Sequence, residues 1–442
     1  MRDFRVSGDA SQDSESTKPK DSPEAAAVSG SSVFSDERDL QDELPEEEPL
    51  TPEMVEEEAV RGDFMLRWAA VFLAVLMGFT QISDTKPLVL IRSGDYMRTH
   101  GLLPPRTDVL SLTVADKPSP NVSWLFDHLI SLCWSVGGDK ALTLLKVLIA
   151  GLVGYLLTHI SIRGVPTWWN SICAVFAIVA CSSDFVPLPE LVTMLGMTLT
   201  MKWLYQHRLG IASGLHWKLP LLIAVWCNFD SRAWIGAFVV LMYMVGVFVS
   251  NRITALKSEA RVETERPSPW LIAALCVVAL LVNPFPGNSL LGLVTMYSVE
   301  YPAMQAQRPV NSPTVSANFD GRVDYFSVLN PDAVRLFDHS QIAGLALVLM
   351  SFVVLLLART RRDLGFLFAL AGVTALSLLK AHELPEAAIV AAVVASISAQ
   401  DWYRRAFSQQ YTLDSKELLF SRGGRAVTVL ALAALGFAGL NK

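Results

Sequence analysis

Charged residues are scarce in this sequence. Asp, Glu, Lys and Arg make up 18% of its 442 residues, whereas soluble globular domains contain about 25%. Hydrophobic residues make up 52%, and they recur in runs of roughly 17–23 residues, the length that a membrane-spanning helix needs. The shortage of charge therefore excludes an ordinary soluble globule and indicates a membrane protein with several spans.

The sequence also lacks the short motifs of several enzyme classes. It contains no P-loop, GxSxG, HExxH or CxxC pattern, so nucleotide hydrolysis, serine hydrolysis and zinc chemistry have no support. Its five cysteines all lie in or beside apolar runs, which predicts buried roles as small hydrophobic residues. No basic surface suited to nucleic acid is present, so we expect no nucleic-acid partner.

Residues 1–60 differ in composition from the rest of the chain. They are rich in Ser, Pro, Asp and Glu and have almost no aromatic residues, so they cannot bury enough apolar area to offset the entropy of ordering. We predict a disordered acidic cytoplasmic tail, with a partner-docking motif as the alternative. Thr51 followed by Pro52 and a run of acids predicts a helix start, and residues 61–442 are predicted to form the transmembrane domain.

Twelve apolar segments predict an all-α fold, a polytopic membrane helical bundle of about 11–12 segments. A break at Gly137 and Gly138 separates the second segment from the third. The segments are Met65–Ile82, Ser123–Val136, Ala141–Ile160, Thr167–Cys181, Pro187–Tyr205, Lys218–Cys227, Ala233–Val249, Pro269–Val282, Ile342–Leu357, Leu364–Leu379, Pro385–Ile397 and Ala426–Leu440.

The positions of Lys and Arg predict the orientation. Basic clusters around residues 252–266, 359–362 and 404–405 are expected in the cytoplasm by the positive-inside rule. The long segment 284–340 then faces outward. Segment 84–122 faces the same side only if one short apolar segment fails to cross fully, either Ser123–Val136 or Lys218–Cys227, and the sequence does not decide between them.

The polar stretch from Asp84 to Asp127 holds the first candidate site residues. Asp84 follows the first span, where a partly desolvated carboxylate can ligate a divalent cation or act as a general base. A solvated acid at a helix end is the structural alternative. Cations in this stretch suit phosphate-bearing ligands, and its candidate substrate-binding residues are Arg92, Asp95, His100, Asp108 and Trp124.

Two further charged positions lie between apolar runs. Asp230 and Arg232 have no room for a long loop, and charges at membrane depth are tolerated when they are paired or line a polar cavity. Both are therefore candidate substrate-binding residues, and a hairpin turn at the interface is the alternative. Lys380 and His382 lie in a short charged cluster between two spans. That cluster suits either a phosphate or headgroup, or a simple interfacial anchor.

The order of these stretches resembles that of GT-C superfamily membrane glycosyltransferases, in their bacterial polyprenyl-phosphate-sugar-dependent type. Such proteins have an acid after the first span, then a loop with His-Gly, Pro and Asp that ends in Trp-Leu, an element W-x-N-x-H-G, and a span ending in N-P-x-G. The similar residues here are Asp84, Gly94, His100–Pro104, Asp108, Ser111, Thr113, Trp124–Leu125, Trp226–Ser231, with Asp230 in place of His, and Asn283–Gly287.

The resemblance implies a sugar transferase of the cell inner (cytoplasmic) membrane with multiple passes. Its partners would be the lipid bilayer and a polyprenyl-phosphate-linked sugar, and its candidate cofactor a divalent cation. Asp84 would orient or deprotonate an extracytoplasmic acceptor and ligate the metal, while Arg92 or Lys380 would hold the lipid phosphate. A non-catalytic scaffold on the same fold, or a transporter, is the alternative; transporters typically show paired broken helices in two halves, whereas the breaks at Asn228 and Asn283 fall in one half.

Overall fold

All regular secondary structure in the described part of the chain is helical. The computed structural model describes residues 52–82, 85–110, 120–160, 168–210, 214–257, 269–287, 338–357, 363–379 and 381–406. In these ranges the helices are α1 Pro52–Gly78, α2 Lys86–His100, α3 Trp124–Thr158, α4 Trp168–Cys181, α5 Glu190–Arg208, α6 Leu215–Phe229, α7 Ala233–Lys257, α8 Pro269–Ala279, α9 His339–Leu357, α10 Leu364–Leu379 and α11 Leu384–Ala406. Short 3₁₀ turns, Ser182–Asp184 and Ala381–Glu383, precede α5 and α11.

Four of these helices are long and apolar enough to cross a membrane. They are Trp124–Thr158, Ala233–Ile253, His339–Leu357 and Leu384–Trp402. Helices of this length and composition satisfy every backbone hydrogen bond internally, which a lipid environment requires. The all-helical class and the membrane character predicted from the sequence are therefore confirmed, while the full number of crossings stays a prediction. Segment Ala426–Leu440 and most of residues 1–60 and 284–340 lie outside the described residues.

Helix α1 begins where the sequence predicts, with Pro52 as its first residue. Proline suits this position because its missing N–H would have no partner in the first helical turn. The break inside α3 is also confirmed. Gly137 has φ −152° and ψ 15°, and Gly138 has φ 57° and ψ −139°, a conformation that only glycine adopts without strain. Segments Ser123–Val136 and Ala141–Ile160 thus form two helical halves of α3, separated by these glycines.

The long helices alternate in direction between two ends of a bundle. α11 lies at its centre and packs against α4, α5, α9 and α10; along Leu384–Trp402, 89% of its most apolar stretch is buried. Small residues allow close packing elsewhere: a Cβ on Gly154 of α3 would lie 2.8 Å from Ala74 Cβ of α1. Such close approach of helix backbones is typical of packing between membrane helices.

Segments 84–122 and 284–340 are anchored at the same end of this bundle. The side-chain amide of Asn283, just after α8, donates to the carbonyl oxygen of Val122, just before α3, at 3.1 Å. α3 begins at this end, and it ends at the other, where the carbonyl oxygen of Thr158 accepts a hydrogen bond from Asn170 of α4. That both segments face outward stays a prediction.

The stretch predicted as a polar loop contains a helix of its own. In α2 the buried residues are Pro87, Ile91, Gly94 and Met97, which recur at the spacing of one helical face. α2 packs on the first half of α3 so closely that a Cβ on Gly94 would lie 2.1 Å from the carbonyl oxygen of Asp127. The loop is therefore fixed to the bundle by a short amphipathic helix.

A cluster of ion pairs lies at the opposite end of the helical bundle. Arg208 at the end of α5 pairs with Asp363 before α10 and with Asp401 near the end of α11. From Glu190 to Arg208, α5 is about 27 Å long at 1.5 Å per residue. That length approaches the roughly 30 Å of a bilayer hydrocarbon core, so polar clusters at the two ends of α5 lie where the membrane surfaces are expected.

Candidate functional site

The turn between α6 and α7 places Asp230 and Arg232 at one end of the bundle. α6 ends at Phe229, and Asp230 is extended, with φ −146° and ψ 135°. Its Oδ1 accepts a hydrogen bond from the backbone N–H of Arg232 at 3.1 Å, as an aspartate before a helix commonly does. The turn is thus stabilised by the same carboxylate that pairs, through Oδ2, with Arg232 Nε at 3.3 Å.

Two glutamates from other helices complete the surroundings of Arg232. Glu190 Oε1, at the start of α5, lies 3.5 Å from Nη2, and Glu386 Oε1, at the start of α11, lies 3.4 Å from Nη1. Both glutamates follow Leu-Pro at a helix start, where an acid interacts favourably with the helix dipole. One guanidinium therefore joins three helices through three carboxylates.

His382 makes the fourth side-chain contact of Arg232. Arg232 Nη1 donates to His382 Nε2 at 2.9 Å, and the same Nε2 lies 4.0 Å from Glu190 Oε1. We call Asp230, Arg232, Glu190, Glu386 and His382 the Arg232 cluster. The sequence predicted three of its members as candidates, and the structure brings those three together.

The Arg232 cluster is largely buried and places one guanidinium among three carboxyl groups. Side-chain exposure is 10% for Arg232 and 1% for Glu386. Burial lowers the pKa of the Arg232 guanidinium, but Asp230, Glu190 and Glu386 outweigh it and raise that pKa well above its ordinary value, so Arg232 is always charged. Nη2 of Arg232 and the Oε2 atoms of Glu190 and Glu386 are buried without a hydrogen bond. Buried polar atoms of this kind are costly unless water or a ligand contacts them.

A tryptophan fixes the position of Asp230. Thr193 of α5 donates its hydroxyl to Asp230 Oδ2 at 2.5 Å and accepts a hydrogen bond from the indole Nε1 of Trp226 at 2.9 Å. The indole ring lies between two glycines, Gly196 of α5 and Gly236 of α7. A Cβ at either glycine would lie 2.6 Å or 2.3 Å from a ring carbon. Three helices thus hold one ring and, through it, the carboxylate.

Gly236→Ala is expected to destabilise the protein by about 1–3 kcal/mol, the usual cost of overpacking. Alanine is otherwise the better helix former by about 1 kcal/mol, so a loss must come from displacement of Trp226. The thermal unfolding midpoint in detergent measures the effect. Gly287→Ala is the control, because its added methyl group would meet nothing within 4 Å. Equal midpoints for Gly236→Ala and the parent protein would contradict the close fit around Trp226.

A second network joins the stretches that carry the family resemblance. Trp124 at the start of α3 donates its indole N–H to Asn228 Oδ1 at 2.9 Å, and Asn228 Nδ2 donates to the carbonyl oxygen of Val282 at 2.6 Å. Asn283 donates to the carbonyl oxygen of Cys227 at 2.8 Å. The W-x-N, N-P and Trp-Leu stretches therefore meet at the end of the bundle that carries the Arg232 cluster.

No protein-family model and no curated protein sequence matches this chain.

The candidates on α2 and in the stretch after it lie in separate surroundings. Asp95 accepts a hydrogen bond from Ser131 of α3 at 2.6 Å. His100 is exposed and stacks on Tyr96 with 4.2 Å between ring centroids. Arg92 is exposed, and Asp108 accepts a hydrogen bond from the N–H of Leu110 at 2.9 Å. The structure does not bring these four residues into the Arg232 cluster.

Asp84 and Lys380 lie outside the described residues. Ile82, two residues before Asp84, packs on the same small apolar cluster as Val192 of α5 and Phe229 of α6. Within the described ranges, no three His, Cys, Asp or Glu side chains are arranged to hold a metal ion. The divalent cation therefore stays a prediction that depends on Asp84.

Sequence reasoning missed Glu190, Glu386 and Thr193. A signal for the two glutamates was present, because Leu188-Pro189-Glu190 and Leu384-Pro385-Glu386 repeat the same three residues at two helix starts. An acid after proline in a first turn is commonly a local device that favours the helix start. Only the fold shows that both carboxylates reach the same guanidinium.

Proposed function

We propose that this protein is a multi-pass glycosyltransferase of GT-C type in the cytoplasmic (inner) membrane. It moves a sugar from a polyprenyl-phosphate donor to an acceptor on the outer side. The observation that carries the proposal is the meeting of separate stretches at one end of the bundle. Trp124, Asn228 and Asn283 are joined by hydrogen bonds, and Asp230 and Arg232 lie at the turn that follows Asn228.

The number of carboxylates around each arginine indicates a different role for Arg232 and for Arg92. A phosphate needs cations that are not already neutralised, whereas Arg232 has three carboxylates within 3.5 Å. Arg232 therefore positions helices and acids rather than binding the donor phosphate. Arg92 is exposed, and no described carboxylate pairs with it, so the donor phosphate is assigned to Arg92, with Lys380 as the alternative.

The acid-base step is assigned to Asp84. It follows the first span, as the catalytic acid does in the family that the chain resembles, and a carboxylate there suits deprotonation of an acceptor hydroxyl. The preceding Ile82 packs beside residues of α5 and α6, whose neighbouring residues hold the Arg232 cluster. A divalent cation at Asp84 would supply electrostatic stabilisation of the leaving phosphate.

Donor binding tests this function directly. Purified protein in lipid nanodiscs is expected to bind a radiolabelled polyprenyl-phosphate sugar saturably, and unlabelled donor should displace it. Arg92→Gln is expected to weaken binding about tenfold, since a hydrogen bond to a charged group contributes about 1.5–3 kcal/mol. Arg106→Gln, a change at another exposed arginine after α2, is the matched control and should bind like the parent protein. Absence of saturable binding by the parent protein would contradict the proposal and favour a non-catalytic membrane scaffold.

A further inference from the structure

The contact between Arg232 and His382 fixes the protonation state of the imidazole. Nη1 of Arg232 lies 2.9 Å from Nε2 of His382. A guanidinium carries only donors, so Nε2 must accept the hydrogen bond. The imidazole in this arrangement is therefore neutral and carries its proton on Nδ1.

The same nitrogen has an acid within reach. Nε2 lies 4.0 Å from Oε1 of Glu190. Protonation would turn Nε2 from an acceptor into a donor, which repels Nη1 of Arg232 and attracts the carboxylate of Glu190. The side chain of His382 is 26% exposed, so protons reach it from water. An imidazole is also the side chain whose charge ordinarily changes between about pH 5 and pH 8.

We propose that His382 is a pH-operated switch between Arg232 and Glu190 at this end of the bundle. Neutral His382 binds Arg232 and so ties the start of α7 to the turn before α11. Protonated His382 instead pairs with Glu190 at the start of α5, and Arg232 keeps its three carboxylates only. The switch does not depend on the proposed glycosyl transfer.

The charges around His382 oppose one another. Arg232 favours the neutral imidazole, while Glu190, 4.0 Å from Nε2, favours the protonated form. The other acids of this end act on the partners of His382: Asp230 on the α6–α7 turn and Glu386 on α11 contact Arg232, and Glu383 beside His382 and Asp184 after α4 interact with Glu386. Lys380 precedes this turn outside the described residues.

Nitrogen NMR of the histidine rings tests the switch. Full-length protein labelled with ¹⁵N-histidine is titrated in nanodiscs, and His382→Gln identifies the signals of His382. At pH 8 the ring should be neutral with the proton on Nδ1. Acidification should protonate Nε2 with a midpoint between about pH 5 and pH 8. His216→Gln, a change at an exposed histidine of α6, is the matched control and should leave the His382 signals unchanged.

Glu190→Gln tests the second position of the switch. Removal of a carboxylate at this distance should lower the titration midpoint of His382 by about one pH unit or more, a tenfold loss of proton affinity. An unchanged midpoint would overturn the proposal. So would a proton on Nε2 at pH 8, or a charged ring over the whole range; both results are read from the parent protein once His382→Gln has identified the His382 signals.

Discussion

Arg232→Gln is expected to lower the free energy of unfolding by about 3–5 kcal/mol, because it removes the cation that three largely buried carboxylates share. Asp230, Glu190 and Glu386 all lie within 3.5 Å of the guanidinium. Without it their charges must be neutralised or exposed to water, and α5, α7 and α11 lose their common partner. The measured quantity is the thermal or denaturant midpoint of the purified protein.

Three further variants sharpen this experiment. Arg232→Lys should recover part of the loss, since an ammonium keeps the charge but cannot span three carboxylates as a fork of donors can. Glu386→Gln added to Arg232→Gln should also recover part of it, because one unpaired carboxylate is removed. Arg252→Gln is the control: Arg252 is exposed over the Phe248 ring, and its loss should change stability by no more than about 0.5 kcal/mol. A stable Arg232→Gln protein would show that the carboxylates are held by other means.

The fold class could be predicted because apolar runs and breaks are local signals. Run length indicates a membrane helix, and Gly137-Gly138 and Pro52 act on the backbone where they stand. The helix α2 could not be predicted as readily. Its buried face is only four residues, Pro87, Ile91, Gly94 and Met97, and one of them is a glycine that sequence patterns associate with loops. It is close packing on α3 that makes this short helix stable.

The candidate site was predictable residue by residue but not as a group. Asp230 and Arg232 are unusual because charges are rare between apolar runs, and that rarity is visible in the sequence. Their partners come from distant helix starts, where Glu190 and Glu386 look like ordinary first-turn acids. The sequence also suggested that Arg232 binds substrate. Its three carboxylates change that interpretation, since they satisfy the charge that a phosphate would need.

Asp84→Asn is expected to reduce sugar transfer by about 10²–10⁴-fold, the usual contribution of a general base. Asparagine keeps the size and most hydrogen bonding of aspartate but cannot take a proton. Donor binding and the unfolding midpoint should stay close to those of the parent protein, which separates a chemical role from a structural one. Asp139→Asn, a change at an exposed aspartate after the break in α3, is the matched control and should transfer normally.

Chelation separates the two roles proposed for Asp84. If the carboxylate ligates a divalent cation, EDTA should abolish transfer by the parent protein and added Mg²⁺ or Mn²⁺ should restore it, because such cations require oxygen ligands of this kind. If Asp84 acts as a base alone, EDTA should leave transfer unchanged while Asp84→Asn still abolishes it. Full transfer by Asp84→Asn would contradict both roles. Transfer would then depend on residues other than Asp84, while the Arg232 cluster would still join α5, α7 and α11.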